Sequence, residues 1–212
     1  MICVAISDKN YENCLSLLEK LDMAEIRMDL TQFSIEQIKH IFSLQKKLIA
    51  TYRPVEGLEN ERLPKLKAAI EAGADYVDIE YESSDDFRKE IVRFAHFHNC
   101  DVVLSYHNFE CTPGLEELHS IIAESFKKGA DVAKIATMVK TNNDNARIIS
   151  LYNIAGRVVA FGMGNLGKIT RIIAPFLGAE FTFAAMDEGA ETAPGQIKYS
   201  RMKSAMQQIE NL

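Results

Sequence analysis

The stretch Gly129-Ala-Asp-Val-Ala-Lys-Ile-Ala136 joins a turn to a run of apolar residues, and Gly73-Ala-Asp-Tyr-Val-Asp-Ile-Glu80 repeats the arrangement. A Gly-Ala-Asp turn is a natural end for a helix, because glycine adopts the left-handed conformation that follows the last helical turn. The runs after these turns are almost continuously apolar instead of alternating, which is typical of parallel strands covered by helices. Each stretch therefore predicts a helix that ends and a buried parallel strand that begins.

Eight such runs occur along the chain, and each is followed by a helical pattern. A strand–helix unit that repeats at about 25 residues is what a (β/α)8 barrel requires. The alternative, an open doubly wound sheet, repeats the same unit but usually with fewer strands. Because eight units fill the chain and no linker divides it, we predict a single barrel domain over residues 1–212. The predicted strands are Ile2–Ser7, Ala24–Leu30, Leu48–Arg53, Tyr76–Tyr81, Asp101–His107, Val132–Val139, Val158–Met163 and Phe181–Met186.

The segments between the strands carry helix signals. Ser34, with Gln37 three residues later, predicts a capping box at the start of one helix. The segment Gly114–Glu117, which follows a proline, predicts the start of another. Amphipathic spacing predicts helices over Tyr11–Leu21, Asp85–His98 and Leu115–Lys128.

Composition places the chain among globular domains. It has 212 residues, 47% of them hydrophobic and 25% charged, with a net charge of −6 and a mean hydropathy of −0.09. An isoelectric point near 5.4 argues against a nucleic-acid or anionic-membrane partner, and no apolar run reaches the length of about 18 residues that a membrane span needs. Cys3, Cys14, Cys100 and Cys111 form no Cys-x-x-Cys pair, and the chain opens on a strand-like run. We therefore expect reduced thiols in a cytoplasmic protein.

Ionisable residues gather at the predicted ends of the strands. In a (β/α)8 barrel the catalytic groups come from the carboxyl ends of the strands and from the loops after them. Charged groups inside buried strands are costly unless they are paired, so their density at this end indicates a functional site. The candidates are Glu25, Arg27, Asp29, Arg53, Glu56, Asp78, Glu80, His107, Lys134, Arg171, Asp187 and Glu188.

Lys134 lies inside an apolar strand, where a protonated amine is expensive. One interpretation is an amine that attacks a ketone or an aldehyde; the other is a structural salt bridge to a strand-end carboxylate such as Glu25 or Glu80. His107 ends the preceding strand and is either a group that moves protons near neutral pH or a histidine that caps a loop. The neighbouring arginines favour the catalytic interpretation of both residues.

The segment Gly162-Met-Gly-Asn-Leu-Gly167 matches G-x-G-x-x-G between a strand and a helix. A dinucleotide site is excluded, because only one strand remains after it. The glycines predict either an anion cradle, with Arg171 as a carboxylate clamp, or tight turns alone. The polar loop Glu191–Gln196 predicts either a closing lid, which places Thr192 and Gln196 on substrate hydroxyls, or an ordinary connector.

Seven short motifs follow one another along the chain: Glu25-Ile-Arg27-x-Asp29, Tyr52-Arg53, Asp78-x-Glu80, Ser105-Tyr-His107-x-Phe109, Lys134-Ile-Ala136, Met163-Gly-x-x-Gly-x-x-Thr-Arg171 and Thr192-Ala-Pro-Gly-Gln196. In this order and spacing they resemble the type I 3-dehydroquinate dehydratase family, the Schiff-base dehydratases of the shikimate pathway. The resemblance implies a (β/α)8 barrel, typically a homodimer, that converts 3-dehydroquinate to 3-dehydroshikimate without a metal or a cofactor.

By this resemblance Lys134 forms the imine and His107 transfers protons. Glu56 matches the carboxylate that orients the histidine, although the spacer after Arg53 is shorter than in the family, and Asp78 and Glu80 are the other candidates for that role. The family's N-terminal hairpin is expected to be reduced or absent. The implied substrate-binding residues are Glu25, Arg27, Arg53, Arg171, Thr192 and Gln196.

No metal site is expected. His96 and His98, the only closely spaced histidines, stand two residues apart on a predicted helix and do not share a face. The alternatives to the dehydratase are another imine-forming, aldolase-like barrel and a non-catalytic barrel that binds a carboxylate. The dehydratase, with its carboxylate substrate, predicts a cationic barrel mouth within an acidic protein. The non-catalytic barrel predicts that replacing Lys134 leaves binding intact.

Overall fold

Each of the eight apolar runs forms a strand, and the strands lie parallel in one sheet. The structure is a computed structural model that describes residues 1–186 and 191–212. In these residues the strands are β1 (Ile2–Ile6), β2 (Met23–Arg27), β3 (Lys47–Thr51), β4 (Tyr76–Glu80), β5 (Asp101–Asn108), β6 (Val132–Met138), β7 (Arg157–Met163) and β8 (Thr182–Ala185).

The strands form a nearly closed barrel. Pairing runs from β7 through β6, β5, β4, β3, β2 and β1 to β8. The described residues contain no ladder between β7 and β8, but the backbone N–H of Glu180 donates to the carbonyl of Val158 at 3.3 Å. The predicted (β/α)8 fold and single domain are confirmed. The α-helices of the described residues are α1 (Tyr11–Glu19), α2 (Met28–Thr31), α3 (Ile35–Phe42), α4 (Glu59–Glu71), α5 (Asp85–Phe97), α6 (Leu115–Lys127), α7 (Asn142–Ser150), α8 (Gly164–Ile173) and α9 (Tyr199–Glu210).

The predicted helix ends and starts are found where the sequence signals stand. Ser34 and Gln37 form the capping box of α3, and Gly114 is the N-cap of α6. Gly73 and Gly129 adopt φ values of +111° and +96°, which residues with a side chain rarely adopt. The Gly-Ala-Asp turns therefore end α4 and α6 and lead into β4 and β6, as predicted.

The second strand is shorter than predicted. It ends at Arg27, and the residues from Met28 onward, which were expected to continue the strand, form the short helix α2. This turn returns the Asp29 carboxylate to the Arg27 guanidinium, which it binds through two hydrogen bonds of 2.7 and 3.0 Å. The chain therefore turns directly after Arg27, and the Arg27–Asp29 ion pair stabilises this turn at the point where the strand was predicted to continue. The other strand bounds differ from prediction by one or two residues.

Alternate residues of each strand face the barrel interior, and their polarity changes along the strand. At the amino ends the inward side chains are apolar and buried, as with Met23, Ile49 and Val132. Two residues further along, the same faces carry charged groups such as Glu25 and Lys134. The two-residue period of a β-strand therefore places the ionisable groups directly above an apolar core.

Side chains close the amino-terminal end of the barrel. Arg157 binds Asp101 at 2.6 Å and Glu180 at 2.7 Å. The hydroxyl of Tyr76 donates to Glu180 at 2.8 Å, and the Tyr76 ring packs edge-on against Phe181. This network covers the end of the barrel opposite Lys134 and His107. The reduced or absent N-terminal hairpin stays a prediction.

Three of the four cysteines belong to the interior. Cys3, Cys14 and Cys100 are buried and Cys111 is exposed, and none of them forms a disulfide among the described residues. The three buried thiols therefore fill space in the core. A bilayer-crossing helix is not found in the part of the chain that the structure describes.

Candidate active site

A cavity of about 320 Å³ opens at the carboxyl ends of the strands. Eight of the nine residues that the family resemblance implied for catalysis or substrate binding contribute to its wall. The lining consists of Glu25, Arg27, Arg53, Glu80, Glu82, His107, Phe109, Lys134, Ala136, Phe161, Arg171, Phe183, Thr192, Ala193 and Gln196. The sequence therefore identified most of the wall before the fold was known.

Lys134 reaches the floor of the cavity from the middle of β6. Its side chain is almost fully buried, and its Nζ donates to Oδ2 of Asp78 at 2.7 Å. The Phe183 ring covers the same nitrogen, with 4.3 Å between Nζ and the ring centroid. The amine is thus held between one carboxylate and one aromatic face, shielded from bulk water.

Asp78 is the centre of an ion-pair network. Its Oδ1 accepts from the hydroxyl of Ser105 at 2.6 Å and lies 3.0 Å from Nη2 of Arg53. Burial raises the pKa of this carboxyl, but Arg53 and Lys134 outweigh burial and hold the pKa well below its usual range. Asp78 is therefore a fixed negative charge at the base of the cavity.

Glu80 extends this network to the outer helices. It accepts from Nη1 of Arg53 at 2.8 Å and also pairs with Arg62 of α4. Arg62 in turn donates to the carbonyl of Tyr52 at 2.9 Å. The sequence analysis missed Arg62, because nothing in the pattern of an outer helix tells which of its side chains reaches the barrel. It also gave Ser105 no role, although Ser105 shares the inward face of β5 with His107.

His107 faces the cavity from β5, next to β6. In the strand register Ser105 lies opposite Lys134, and His107 lies opposite Ala136. Burial lowers the pKa of His107 most, and the positive charges of Arg53 and Lys134 lower it further, against the opposing effect of Asp78. The imidazole is therefore neutral at pH 7, and it makes no hydrogen bond to the residues that the structure describes.

Arg171 is a buried cation that has no polar partner among the described residues. Its side chain is 0% exposed, and none of its three guanidinium nitrogens has a hydrogen-bond partner within the described ranges. Burial lowers its pKa to about 9, and the Phe161 ring lies 4.1 Å from the guanidinium carbon. Because an unpaired buried charge is costly, this arrangement suits an anion that enters the cavity.

The glycines around α8 have a packing role. A Cβ on Gly162 would lie 2.8 Å from the Cα of Gly167, so the start of α8 contacts the end of β7 only because both residues lack a side chain. The backbone N–H of Gly164, which an anion cradle would leave open, donates to the carbonyl of Pro194 at 3.1 Å. The sequence predicted that the glycines and Arg171 bind an anion together. Arg171 lines the cavity, whereas Gly162, Gly164 and Gly167 do not.

The loop after β8 covers one side of the cavity. The Thr192 N–H donates to Oε1 of Gln196 at 2.8 Å, and the amide of Gln196 donates to the Thr192 hydroxyl at 3.2 Å. Both side chains line the cavity, as both the lid interpretation and the resemblance predict. Asp187 and Glu188 lie outside the described residues.

The remaining predicted residues differ in their surroundings. Glu25 is buried and accepts from the hydroxyl of Thr51 at 2.8 Å, while Arg27 is held by Asp29. Glu56 is exposed and does not line the cavity, so its role in orienting His107 stays a prediction. Asp78 is the carboxylate among the largest electrostatic effects on the pKa of His107, which it raises.

The cavity is less cationic than expected. Its wall carries four cations and three carboxylates. Arg27 and Arg53 are matched by Asp29, Asp78 and Glu80, and Lys134 is matched by Asp78. The positive charge that is left over for an anionic ligand therefore comes from Arg171. Among the described residues, no three His, Cys, Asp or Glu side chains are grouped so as to hold a metal ion.

The Lys134 amine, the His107 imidazole and the Arg171 guanidinium line one cavity at the carboxyl end of the barrel. Reactive groups at this end of the strands are typical of (β/α)8-barrel enzymes. The family model for type I 3-dehydroquinase matches residues 2–212. The chain therefore belongs to the type I 3-dehydroquinase family. Its relatives in that family are hydro-lyases, and it is an enzyme of the same class.

Relatives and solved structures agree with this assignment. The 3-dehydroquinate dehydratase of Methanococcus maripaludis strain C7 is 34% identical over 222 residues, covering 99% of this chain and 100% of the relative. The crystal structure of 3-dehydroquinate dehydratase from Geobacillus kaustophilus superposes with a TM-score of 0.87 at 22% identity, over 99% of this chain and 91% of that one. The type I enzyme from Clostridium difficile with covalent modified comenic acid gives a TM-score of 0.85 at 25% identity, over 99% and 92%.

Proposed function

We propose that the protein dehydrates 3-dehydroquinate to 3-dehydroshikimate, the third step of aromatic amino acid biosynthesis, through an imine on Lys134 with His107 as acid and base. The observation that carries this proposal is the single cavity that holds the Lys134 amine, the neutral His107 imidazole and the unpaired Arg171 guanidinium. These are a nucleophile, a proton carrier and a carboxylate anchor. No cofactor takes part in the proposed reaction.

The first step supplies an electron sink. A proton on carbon 2 of the substrate, next to the ketone, is too weakly acidic for a histidine to remove at a useful rate. The Lys134 ammonium gives up one proton, which frees the electron pair that attacks the ketone. The C=N bond forms as the ketone oxygen leaves as water with that proton, and the iminium nitrogen carries the positive charge. The iminium then accepts the electron pair that the C2–H bond leaves behind.

The second step moves one proton through His107. The neutral imidazole takes the proton from carbon 2 and becomes imidazolium, while the iminium becomes an enamine. The electron pair of the enamine then expels the hydroxyl from carbon 1, and His107 returns its proton so that the hydroxyl leaves as water. Hydrolysis of the resulting conjugated iminium releases the product and restores the Lys134 ammonium.

The substrate is held by its carboxylate and hydroxyls. Arg171 binds the carboxylate, because a guanidinium pairs with a carboxylate through two parallel hydrogen bonds. Glu25, Arg27, Arg53, Thr192 and Gln196 surround the ring hydroxyls. The covalently modified ligand in the Clostridium difficile relative supports covalent chemistry in this family.

Reductive trapping tests the proposal. The protein is incubated with 3-dehydroquinate, reduced with borohydride and digested, and the modified peptide is located by mass. We expect an adduct on Lys134 and, without borohydride, a rise in enone absorbance. An adduct without enone absorbance would indicate an aldolase-like barrel instead. Neither signal, despite binding of the carboxylate, would indicate a non-catalytic barrel.

Replacing Arg171 with methionine is expected to raise KM for 3-dehydroquinate at least about 30-fold, because the substrate carboxylate loses its charged partner. The same change should raise the melting temperature of the ligand-free protein, because it removes an unpaired buried charge. Steady-state kinetics and thermal unfolding measure the two effects. Arg93→Met, at an exposed position on α5, is the control and should change neither. An Arg171→Met protein with an unchanged KM contradicts the anchor role.

We also propose that the protein acts as a cytoplasmic homodimer. The family resemblance supports the dimer, and the buried free thiols support the compartment. An apolar surface lies outside the barrel on α8 and the 3-10 turn that follows it, where Leu166, Ile169, Phe176 and Leu177 are 41–50% exposed. Light scattering after size exclusion distinguishes the 23.8 kDa monomer from a species of twice that mass.

A further inference from the structure

Both oxygens of the Asp78 carboxylate are held by neighbouring side chains. Its carboxylate is 0% exposed. Oδ2 accepts from Lys134 at 2.7 Å, and Oδ1 accepts from Ser105 at 2.6 Å and faces Arg53 at 3.0 Å. Because both oxygens are fixed from different strands, the carboxylate cannot turn away when the charge on Lys134 changes.

The proposed reaction moves one positive charge back and forth beside this carboxylate. The charge begins on the Lys134 ammonium and remains on that nitrogen when the iminium forms and water leaves. It passes to His107 with the carbon-2 proton, which leaves a neutral enamine on Lys134. When His107 gives its proton to the departing carbon-1 hydroxyl, the charge returns to the nitrogen as the conjugated iminium.

Asp78 acts on both positions of that charge. It contacts the Lys134 nitrogen directly, and among the largest electrostatic effects on the pKa of His107 the one that favours the charged form comes from Asp78. Arg53, Arg27 and Lys134 oppose a positive charge on His107. Without the Asp78 carboxylate, the imidazolium would face the two arginines in a site shielded from water, where charges interact strongly.

We propose that Asp78 is a catalytic residue of this reaction: the fixed counter-ion that stabilises the positive charge first on the Lys134 nitrogen and then on the His107 imidazolium. This inference rests on the proposed function. Glu25 and Glu80 are less suited, because among the described contacts the Lys134 nitrogen pairs with Asp78. Glu25 instead accepts from Thr51, and Glu80 pairs with Arg53 and Arg62. Fixed charges that need no reorganisation during the reaction are an effective form of transition-state stabilisation.

The experiment compares Asp78→Asn with Glu80→Gln. Each variant removes one negative charge from the partners of Arg53 and keeps the shape of the side chain, but only Asp78 contacts Lys134. We expect Asp78→Asn to lower kcat by about 100-fold or more and to slow borohydride-trapped adduct formation in a single turnover. Its KM should change far less, since the lost interaction stabilises the intermediates rather than the bound substrate. We expect Glu80→Gln to lower kcat at least ten times less than Asp78→Asn.

The outcomes separate this inference from the proposed function. If the unmodified protein forms no adduct, the proposed function fails. If it forms the adduct and turns over, but Asp78→Asn and Glu80→Gln lose the same activity, Asp78 is only a structural partner of Arg53 and this inference alone is overturned.

A second measurement needs no folded variant. A crystal structure of the borohydride-reduced adduct of the unmodified protein should keep the Lys134 nitrogen within hydrogen-bond distance of Asp78, close to the present 2.7 Å. A nitrogen that has moved away from Asp78 in the adduct would contradict the proposal.

Discussion

Replacing Lys134 with alanine is expected to lower kcat by about 10⁴-fold or more, because no other group in the cavity can form the iminium that makes the carbon-2 proton acidic. Borohydride should then trap no adduct on the protein. Enone absorbance measures turnover, and peptide mass locates the adduct. Arg53 remains as a partner of Asp78 in this variant, so the network keeps a buried cation and the barrel should fold.

Two controls make this result specific. Lys140 is an exposed lysine shortly after the end of β6, and Lys140→Ala should retain both turnover and the adduct on Lys134. Thermal unfolding of Lys134→Ala shows whether the variant is folded when it is assayed. An adduct that persists in Lys134→Ala at another lysine would remove Lys134 from the mechanism.

Replacing His107 with alanine is expected to separate the two chemical steps. Imine formation should survive, whereas turnover should fall about 10³-fold, the usual scale for loss of a general acid–base group. Trapping with borohydride measures the first step and enone absorbance the second. Full activity in His107→Ala would refute the proton-transfer role, and loss of trapping would show that His107 acts earlier.

The pH dependence carries a second test of His107. Burial and the neighbouring cations lower its pKa well below the ordinary 6.5. The reaction begins with the neutral imidazole, so kcat/KM should stay level as the pH falls through 6.5 and should decline only further into the acid range. His119→Ala, at an exposed position on α6, is the control and should leave the profile unchanged. A decline centred at 6.5 would contradict the buried, neutral His107.

The sequence predicted those parts of the fold and site that depend on local periodicity. Apolar runs and Gly-Ala-Asp turns identified the strands, and the two-residue period brought Lys134 and His107 to one end of the barrel. Contacts between a long side chain and a residue of another helix or strand were harder to predict. Arg62 crosses from α4 to Glu80, and Asp78 was one of several candidate carboxylates, because the partner of a long side chain depends on the packing of helices against strands.

The end of the second strand was also difficult to predict, because it depends on one contact between neighbouring residues. The apolar residues Met28 and Leu30 continue the strand pattern past Arg27, but the pairing of Asp29 with Arg27 favours a turn there. A sequence pattern reports the average preference of a segment, while one ion pair between near neighbours decides where the segment ends.

The break in the sheet between β7 and β8, where the described residues form no ladder, separates two groups of residues in the candidate active site. Lys134 and His107 stand on adjacent strands of a continuous ladder, where backbone pairing fixes the spacing of the two residues. Arg171 and the Thr192–Gln196 loop flank the break, where the described residues show only the Glu180–Val158 hydrogen bond between the two strand edges. The proposed nucleophile and proton carrier therefore stand within the continuous ladder, whereas the proposed carboxylate anchor and the Thr192–Gln196 loop stand beside its break. In a lineage or an engineered series, the range of accepted substrates is the property that should diverge first, while the chemistry stays the same.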